Sequence, residues 1–177
     1  PIRTDHQEFS DGNGGSRVRV LSGPTETPIS CSTHGTSVAS LVAGQTLGVA
    51  KRATVTSVAM LNCEGRGSSA LMLHTMEMVL MDHEFRGRPP AVVTWSAGTT
   101  TVDASCRQGS FNQMARRMAT NGIVLVNSAG NGGVYECKRQ LNCLYEATTV
   151  AATTASDQLA SFSNFGSCVT LSAPGVH

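Results

Sequence analysis

The chain has 177 residues, a formal net charge of +1 and 14% charged residues. This length is typical of one ordinary domain with a sizeable core. The near-neutral charge argues against nucleic acid or an anionic membrane as a partner. No apolar run reaches the roughly eighteen residues that a membrane span requires, so we expect no membrane partner.

Three elements are predicted in the first third of the chain. Residues 17–21 alternate polar and apolar side chains, which is typical of a short strand. A small-residue helix follows from His34 to Gly44, and residues 53–61 form a β-branched strand. We expect the helix to bury an apolar stripe formed by Val38, Leu41 and Val42.

The rest of the chain alternates helices and strands. In chain order we predict a helix over 68–85, a strand over 91–96, a Gly/Thr/Ser loop over 97–106, a helix over 111–120, and strands over 123–126, 147–152 and 168–172. Continuous apolar strands indicate burial on both faces. The pattern therefore predicts an α/β fold with a doubly wound, mostly parallel sheet and helices on both faces.

Functional groups of such a sheet belong at the carboxyl ends of its strands and at the starts of the adjoining helices. His34, the Ser96-Ala97-Gly98 loop and the Ser128-Ala129-Gly130-Asn131 loop meet this description. Taken alone, His34 is better explained as a capping or core histidine. Asn131 taken alone is better explained by a simple Asn-Gly turn, with Gly132 as the next residue.

Six cysteines are spread along the chain without a C-x-x-C pair, which argues against zinc fingers and thioredoxin-type chemistry. They are Cys31, Cys63, Cys106, Cys137, Cys143 and Cys168. Free core thiols are one interpretation. Disulfides are favoured because most of these cysteines lie in Gly-, Ser- or Asn-rich loops, and they would indicate a secreted or lumenal protein.

Several segments, in this order, resemble the subtilisin-like serine peptidases. They are Asp5-His6-Gln7-Glu8-Phe9, His34-Gly35-Thr36, Gly48-Val49-Ala50, Ser96-Ala97-Gly98, Ala129-Gly130-Asn131, Phe162-Ser163-Asn164-Phe165-Gly166 and Ala173-Pro174-Gly175. The cysteine positions bring the chain closest to the proteinase K branch, which includes proprotein convertase-like members.

The resemblance implies a role for each matching residue. His34 is the expected general base, which takes the nucleophile's proton and passes it to the leaving amine. Asn131 is the expected donor to the oxyanion. Ser96-Ala97-Gly98 is expected to pair with the extended substrate, and Ala129 and Gly130 to line the primary specificity pocket. The implied activity is endopeptidase cleavage of protein or peptide substrates.

The other two triad members are expected outside the sequence, the Asp two positions before Pro1 and the Ser beyond His177. Asp5 is out of register with the family's acid. Residues 1–177 are therefore predicted to be a partial catalytic domain, incomplete at both ends and inactive alone. Removal of the nucleophile helix is also expected to leave apolar sheet surface uncovered.

The resemblance also implies disulfides Cys31–Cys63 and Cys143–Cys168. Cys106–Cys137 is then the remaining pair, and this set is one of fifteen possible connectivities. No cofactor or metal is expected, and Thr154 stands where some relatives have a calcium-binding Asp. A propeptide inhibitor is implied for the parent protein. The alternatives are a pseudo-peptidase that binds a protein partner through the same cleft and a thiol-bearing α/β protein of another kind.

Overall fold

The computed structural model describes residues 1–21, 31–98, 102, 106 and 108–176. Most of the predicted 97–106 loop lies outside these residues. The chain divides into two compact units, Pro1–Val79 and Leu80–His177, and each is described by itself. No described helix has both the length and the apolar character needed to cross a membrane.

The first unit is built on two parallel strands and a helix between them. Its elements are a 3-10 helix (Gln7–Phe9), β1 (Val18–Leu21), α1 (Thr33–Ala43), β2 (Val55–Val58) and most of α2 (Ser69–Phe85). Val18 of β1 pairs with Val55 of β2. The core contains Phe9, Val18 and Ala39, with Ile2 and Val55 packed against them.

The second unit contains a four-stranded parallel sheet. Its elements after α2 are β3 (Ala91–Trp95), α3 (Ser110–Thr120), β4 (Ile123–Ser128), β5 (Ala147–Thr153) and β6 (Leu171–Pro174). The strands are ordered β3-β4-β5-β6 and every neighbouring pair is parallel. Helix α3 packs on β4 and buries Phe111, Ala115 and Met118. The predicted α/β class with a parallel sheet is confirmed.

Each predicted helix and strand has a counterpart, with differences at the ends. Ser68 caps α2, because its hydroxyl accepts a hydrogen bond from the Leu71 N–H at 3.1 Å. The last strand begins only at Leu171 and not at Cys168, because Cys168 is held in the preceding loop by a disulfide to Cys137. The 3-10 helix was not predicted, since three residues are too few to show a periodicity.

Within the described residues, the four-stranded sheet has one buried face and one face with exposed apolar side chains, which agrees with the expected uncovered sheet surface. Along β4, buried Ile123, Leu125 and Asn127 alternate with more exposed residues. Val92 of β3 and Val124 of β4 pair side by side and are 64% and 53% exposed. The apolar sequence of these strands therefore reflects one face packed under α3 and a second, open face.

Candidate active site

His34 stands in the first turn of α1, where its side chain is exposed. Its ring makes no hydrogen bond or ion pair with another residue in the described part of the chain. A capping role is not seen, because the helix N-cap is Ser32, which itself makes no side-chain cap. The ring is thus presented to the surface by an element that is buried farther along its length.

The buried face of α1 is made of small residues and not of the predicted apolar stripe. Leu41 and Val42 are 64% and 42% exposed. The buried positions follow helical spacing and are Thr36, Ala39, Ser40 and Ala43. Small side chains let the helix approach its neighbours closely: a Cβ on Gly35 would collide with the Pro1 carbonyl oxygen, and Thr36 accepts from the Arg3 N–H at 3.0 Å. The stripe prediction is wrong because close approach, and not side-chain size, decides this face.

Glu8 fixes the segment that follows α1. Its carboxylate accepts hydrogen bonds from the Thr46 hydroxyl, from the Thr46 N–H at 3.0 Å and from the Leu47 N–H at 3.2 Å. These hydrogen bonds hold the pKa of Glu8 below its ordinary value, and the bond from the Thr46 hydroxyl has the largest effect. A Cβ on Gly44 would collide with the same carboxylate. The sequence motif around Glu8 suggested no such role, because its partners lie almost forty residues away.

Asn131 follows the carboxyl end of β4, as predicted, and is exposed. Its side-chain amide makes no hydrogen bond with any other residue that the structure describes. The preceding Gly130 has φ +102°, a conformation that L side chains rarely adopt. The amide is therefore available to a ligand.

Two buried amide side chains hold this loop in place. Asn142 and Asn164 each donate from Nδ2 to the Ala129 carbonyl oxygen at 3.0 Å. The Oδ1 of Asn164 accepts from the Gly132 N–H at 2.8 Å and from the Val134 N–H at 3.2 Å. The Asn164 N–H also donates to the Gly130 carbonyl oxygen at 2.9 Å. Asn164 thus fixes the backbone on both sides of Asn131.

A cleft with a volume of about 400 Å³ opens at this loop. It brings together four of the predicted site residues, Gly98, Ala129, Gly130 and Asn131. Ser96 and Ala97 lead from β3 to Gly98 without lining the cleft. His34 belongs to the first unit and does not line this cleft of the second unit. The lining also includes Glu136, Arg139 and Asn142, which the sequence analysis did not single out.

The structure contains three disulfides, Cys31–Cys63, Cys106–Cys143 and Cys137–Cys168. The first is as predicted, whereas the predicted Cys143–Cys168 and Cys106–Cys137 pairings are wrong. The Glu136 N–H donates to the Phe165 carbonyl oxygen at 3.1 Å, which brings the next residue, Cys137, beside Cys168. Cys143 lies instead against Asn112 of α3 and is bonded to Cys106, which precedes that helix in the chain.

Within the described residues, no group of three or more His, Cys, Asp or Glu side chains could hold a metal ion. The expectation that no metal or cofactor is needed stays a prediction. The arrangement is thus an α/β protein with an exposed amide and a cleft at the carboxyl ends of parallel strands, which is where such folds bind ligands.

Comparison with known proteins agrees with this class. The profile of the Subtilase family matches residues 6–177, so the chain belongs to that family. Similar proteins include Subtilisin-like protease 7 of Trichophyton equinum, 34% identical over 96% of this chain and 40% of its own length. Its counterpart in Arthroderma gypseum is 36% identical over the same shares. The crystal structure of a cold-adapted subtilisin-like serine proteinase superposes with a TM-score of 0.80 at 28% identity, covering 98% of this chain and 59% of the other.

The chain therefore spans about 40% of the length of these curated relatives. Their shared name describes proteases with a subtilisin-like sequence. The family predicted from the sequence is confirmed, and the role of each residue in this chain stays a prediction.

Proposed function

We propose that the protein containing this chain is a serine endopeptidase, with His34 as its general base and Asn131 as its oxyanion donor. The observation that carries the proposal is the exposed Asn131 amide, which has no partner among the described residues and lines the 400 Å³ cleft with Ala129 and Gly130. Asn164 holds the backbone on both sides of Asn131, and a donor on a backbone that is already in place stabilises the oxyanion with little reorganisation.

The cleft is proposed to hold the substrate side chain that precedes the cleaved bond. Ala129 and Gly130 supply a wall with little side-chain volume, which supports that use. Ser96, Ala97 and Gly98 follow the edge strand β3 and are proposed to pair with the substrate backbone. His34 would take the proton of a serine nucleophile that lies outside this chain and return it to the leaving amine.

A secreted or lumenal location is proposed together with this activity. Three disulfides, with no free cysteine among the described residues, support an oxidising compartment. Since the chain contains one of the three proposed triad members, we expect residues 1–177 alone to be inactive. A propeptide inhibitor of the parent protein stays part of the proposal.

The test uses the full-length protein and a fluorogenic peptide substrate. By analogy with subtilisin, His34→Ala should lower kcat by about 10⁶, and Asn131→Ala by about 10²–10³. His74→Ala and Asn13→Ala are matched controls, because both residues are exposed, and each should leave kcat unchanged. A folded full-length protein that cleaves no peptide, or activity that survives His34→Ala, would overturn the proposal; the first result would favour a pseudo-peptidase.

A further inference from the structure

An ion pair lines the cleft below Asn131. Arg139 Nε lies 2.7 Å from Glu136 Oε2, and the two side chains are 39% and 13% exposed. Glu136 and Arg139 are the only charged residues that line the cleft in the described part of the chain. Their formal charges cancel, so the cleft offers strong polar groups without a net charge.

The backbone on one side of this pair is adjacent to a disulfide, and on the other side it is hydrogen-bonded to a disulfide-bonded residue. Cys137 follows Glu136 and is bonded to Cys168. The Arg139 carbonyl oxygen accepts from the Cys143 N–H at 3.3 Å, and Cys143 is bonded to Cys106. A pair held between two disulfides keeps its position when a ligand enters, as a specificity determinant must.

Apart from Asn131, which is assigned to the oxyanion, the side-chain amides that line the cleft are already hydrogen-bonded. Asn164 bonds to three backbone groups, and Asn142 bonds to the Ala129 carbonyl oxygen and to Asn127. With Asn131 assigned to the oxyanion, Glu136 and Arg139 are the charged side chains left to discriminate among substrate side chains in the described part of the cleft. A carboxylate has about four acceptor positions, so Glu136 can accept further hydrogen bonds while it pairs with Arg139.

We propose that this pair makes the cleft select a neutral side chain that donates hydrogen bonds, such as the amide of glutamine, directly before the cleaved bond. The inference rests on the proposed peptidase function. A large apolar side chain would remove water from the ion pair and return no hydrogen bond. A charged side chain is attracted by one member of the pair and repelled by the other, so it gains no net attraction that would offset the loss of its hydration.

The experiment measures kcat/KM of the full-length protein on peptides that differ only at this position, with Gln, Leu, Phe, Lys or Glu. The Gln peptide is expected to be cleaved about tenfold or more faster than the Leu and Phe peptides, since a site built for a hydrogen-bonding group rejects analogues that lack it. An equal rate, or a preference for Leu or Phe, would overturn the inference.

Two variants test the sign of the effect. Arg139→Gln leaves the Glu136 charge and should make the Lys peptide the best substrate, whereas Glu136→Gln leaves the Arg139 charge and should favour the Glu peptide. Glu146→Gln is the matched control, because Glu146 pairs with Arg116 at 3.2 Å and does not line the cleft. It should preserve the wild-type order.

The two possible failures can be told apart. Cleavage of several peptides with an order that neither cleft variant changes overturns the role of the pair and leaves the peptidase function standing. No cleavage of any peptide by the folded wild type overturns the proposed function itself. If a variant does not fold, the wild-type substrate order still decides the inference.

Discussion

His34 and Asn131, the two proposed catalytic residues in this chain, are held in place by different physical means. Below His34, small residues of α1 and the glycines beside it let backbone segments touch. Around Asn131, the side chain of Asn164 bonds to backbone groups on both sides of the loop. The close packing around α1 leaves no room for added atoms. The loop around Asn131 depends on the hydrogen bonds of one side chain, that of Asn164. Each should therefore fail under a different kind of substitution.

The largest expected loss of stability comes from added side-chain volume in the first unit. Gly48 is buried, and a Cβ there would collide with backbone atoms of Gly44 and Ala43, which cannot rotate away as a side chain can. Gly48→Ala should lower the free energy of unfolding of the full-length protein by about 3 kcal/mol, measured by urea denaturation. Gly98→Ala is the matched control, since nothing lies within 4 Å of a Cβ there. Equal stability of the two variants would contradict close packing around Gly48.

The next largest expected loss of stability comes from removing a hydrogen-bonding side chain in the second unit. Asn164→Ala removes three hydrogen bonds and leaves the Ala129 carbonyl oxygen and two N–H groups without that partner. We expect a loss of about 2 kcal/mol in the free energy of unfolding, by the same measurement. Asn13→Ala serves as the control, because Asn13 is exposed and its side chain bonds to no other described residue. A neutral Asn164→Ala would show that the loop is held by something else.

A smaller effect should appear as pH dependence in the first unit. Because hydrogen bonds from Thr46 and Leu47 hold the pKa of Glu8 below its ordinary value of 4.5, the carboxylate adds stability above that pH. This contribution is lost as the pH falls from 4.5 through the folded-state pKa. The free energy of unfolding should therefore decline less steeply below pH 4.5 in Glu8→Gln than in the wild type. Thr46→Val should give an intermediate slope, and identical slopes in all three proteins would refute the role of Glu8.

The features that could be predicted from the sequence are those that depend on residues close together in the chain. The apolar run after Asn121-Gly122 became β4, and the polar residue that follows this strand, Asn131, lies at the cleft as expected. The sequence could not show which face of β4 would be covered, because that depends on α3. The apolar stripe of α1 was wrong for a similar reason, since the face that is buried depends on the core residues Phe9 and Val18, which lie far from Ala39 in the sequence.

Features that join distant segments escaped prediction. Asn164 was recognised as part of a family motif, yet its bonds to Gly132 and Val134 span some thirty residues. The pairing of Cys137 with Cys168 depends on how two loops meet. Glu136 and Arg139 carry no local pattern that indicates a cleft.

The connectivity of the last four cysteines has a consequence for the resistance of this chain to proteolysis. The bridges Cys106–Cys143 and Cys137–Cys168 interleave along the chain. Cys137 lies in the loop closed by the first bridge, and Cys143 lies in the loop closed by the second. One cut anywhere between Cys106 and Cys168 therefore leaves the two pieces covalently joined. With the sequential pairing implied by the family resemblance, a cut between Cys137 and Cys143 would have separated them. A nick beside the cleft, at residues 138–142, is spanned by both bridges and cannot release either half.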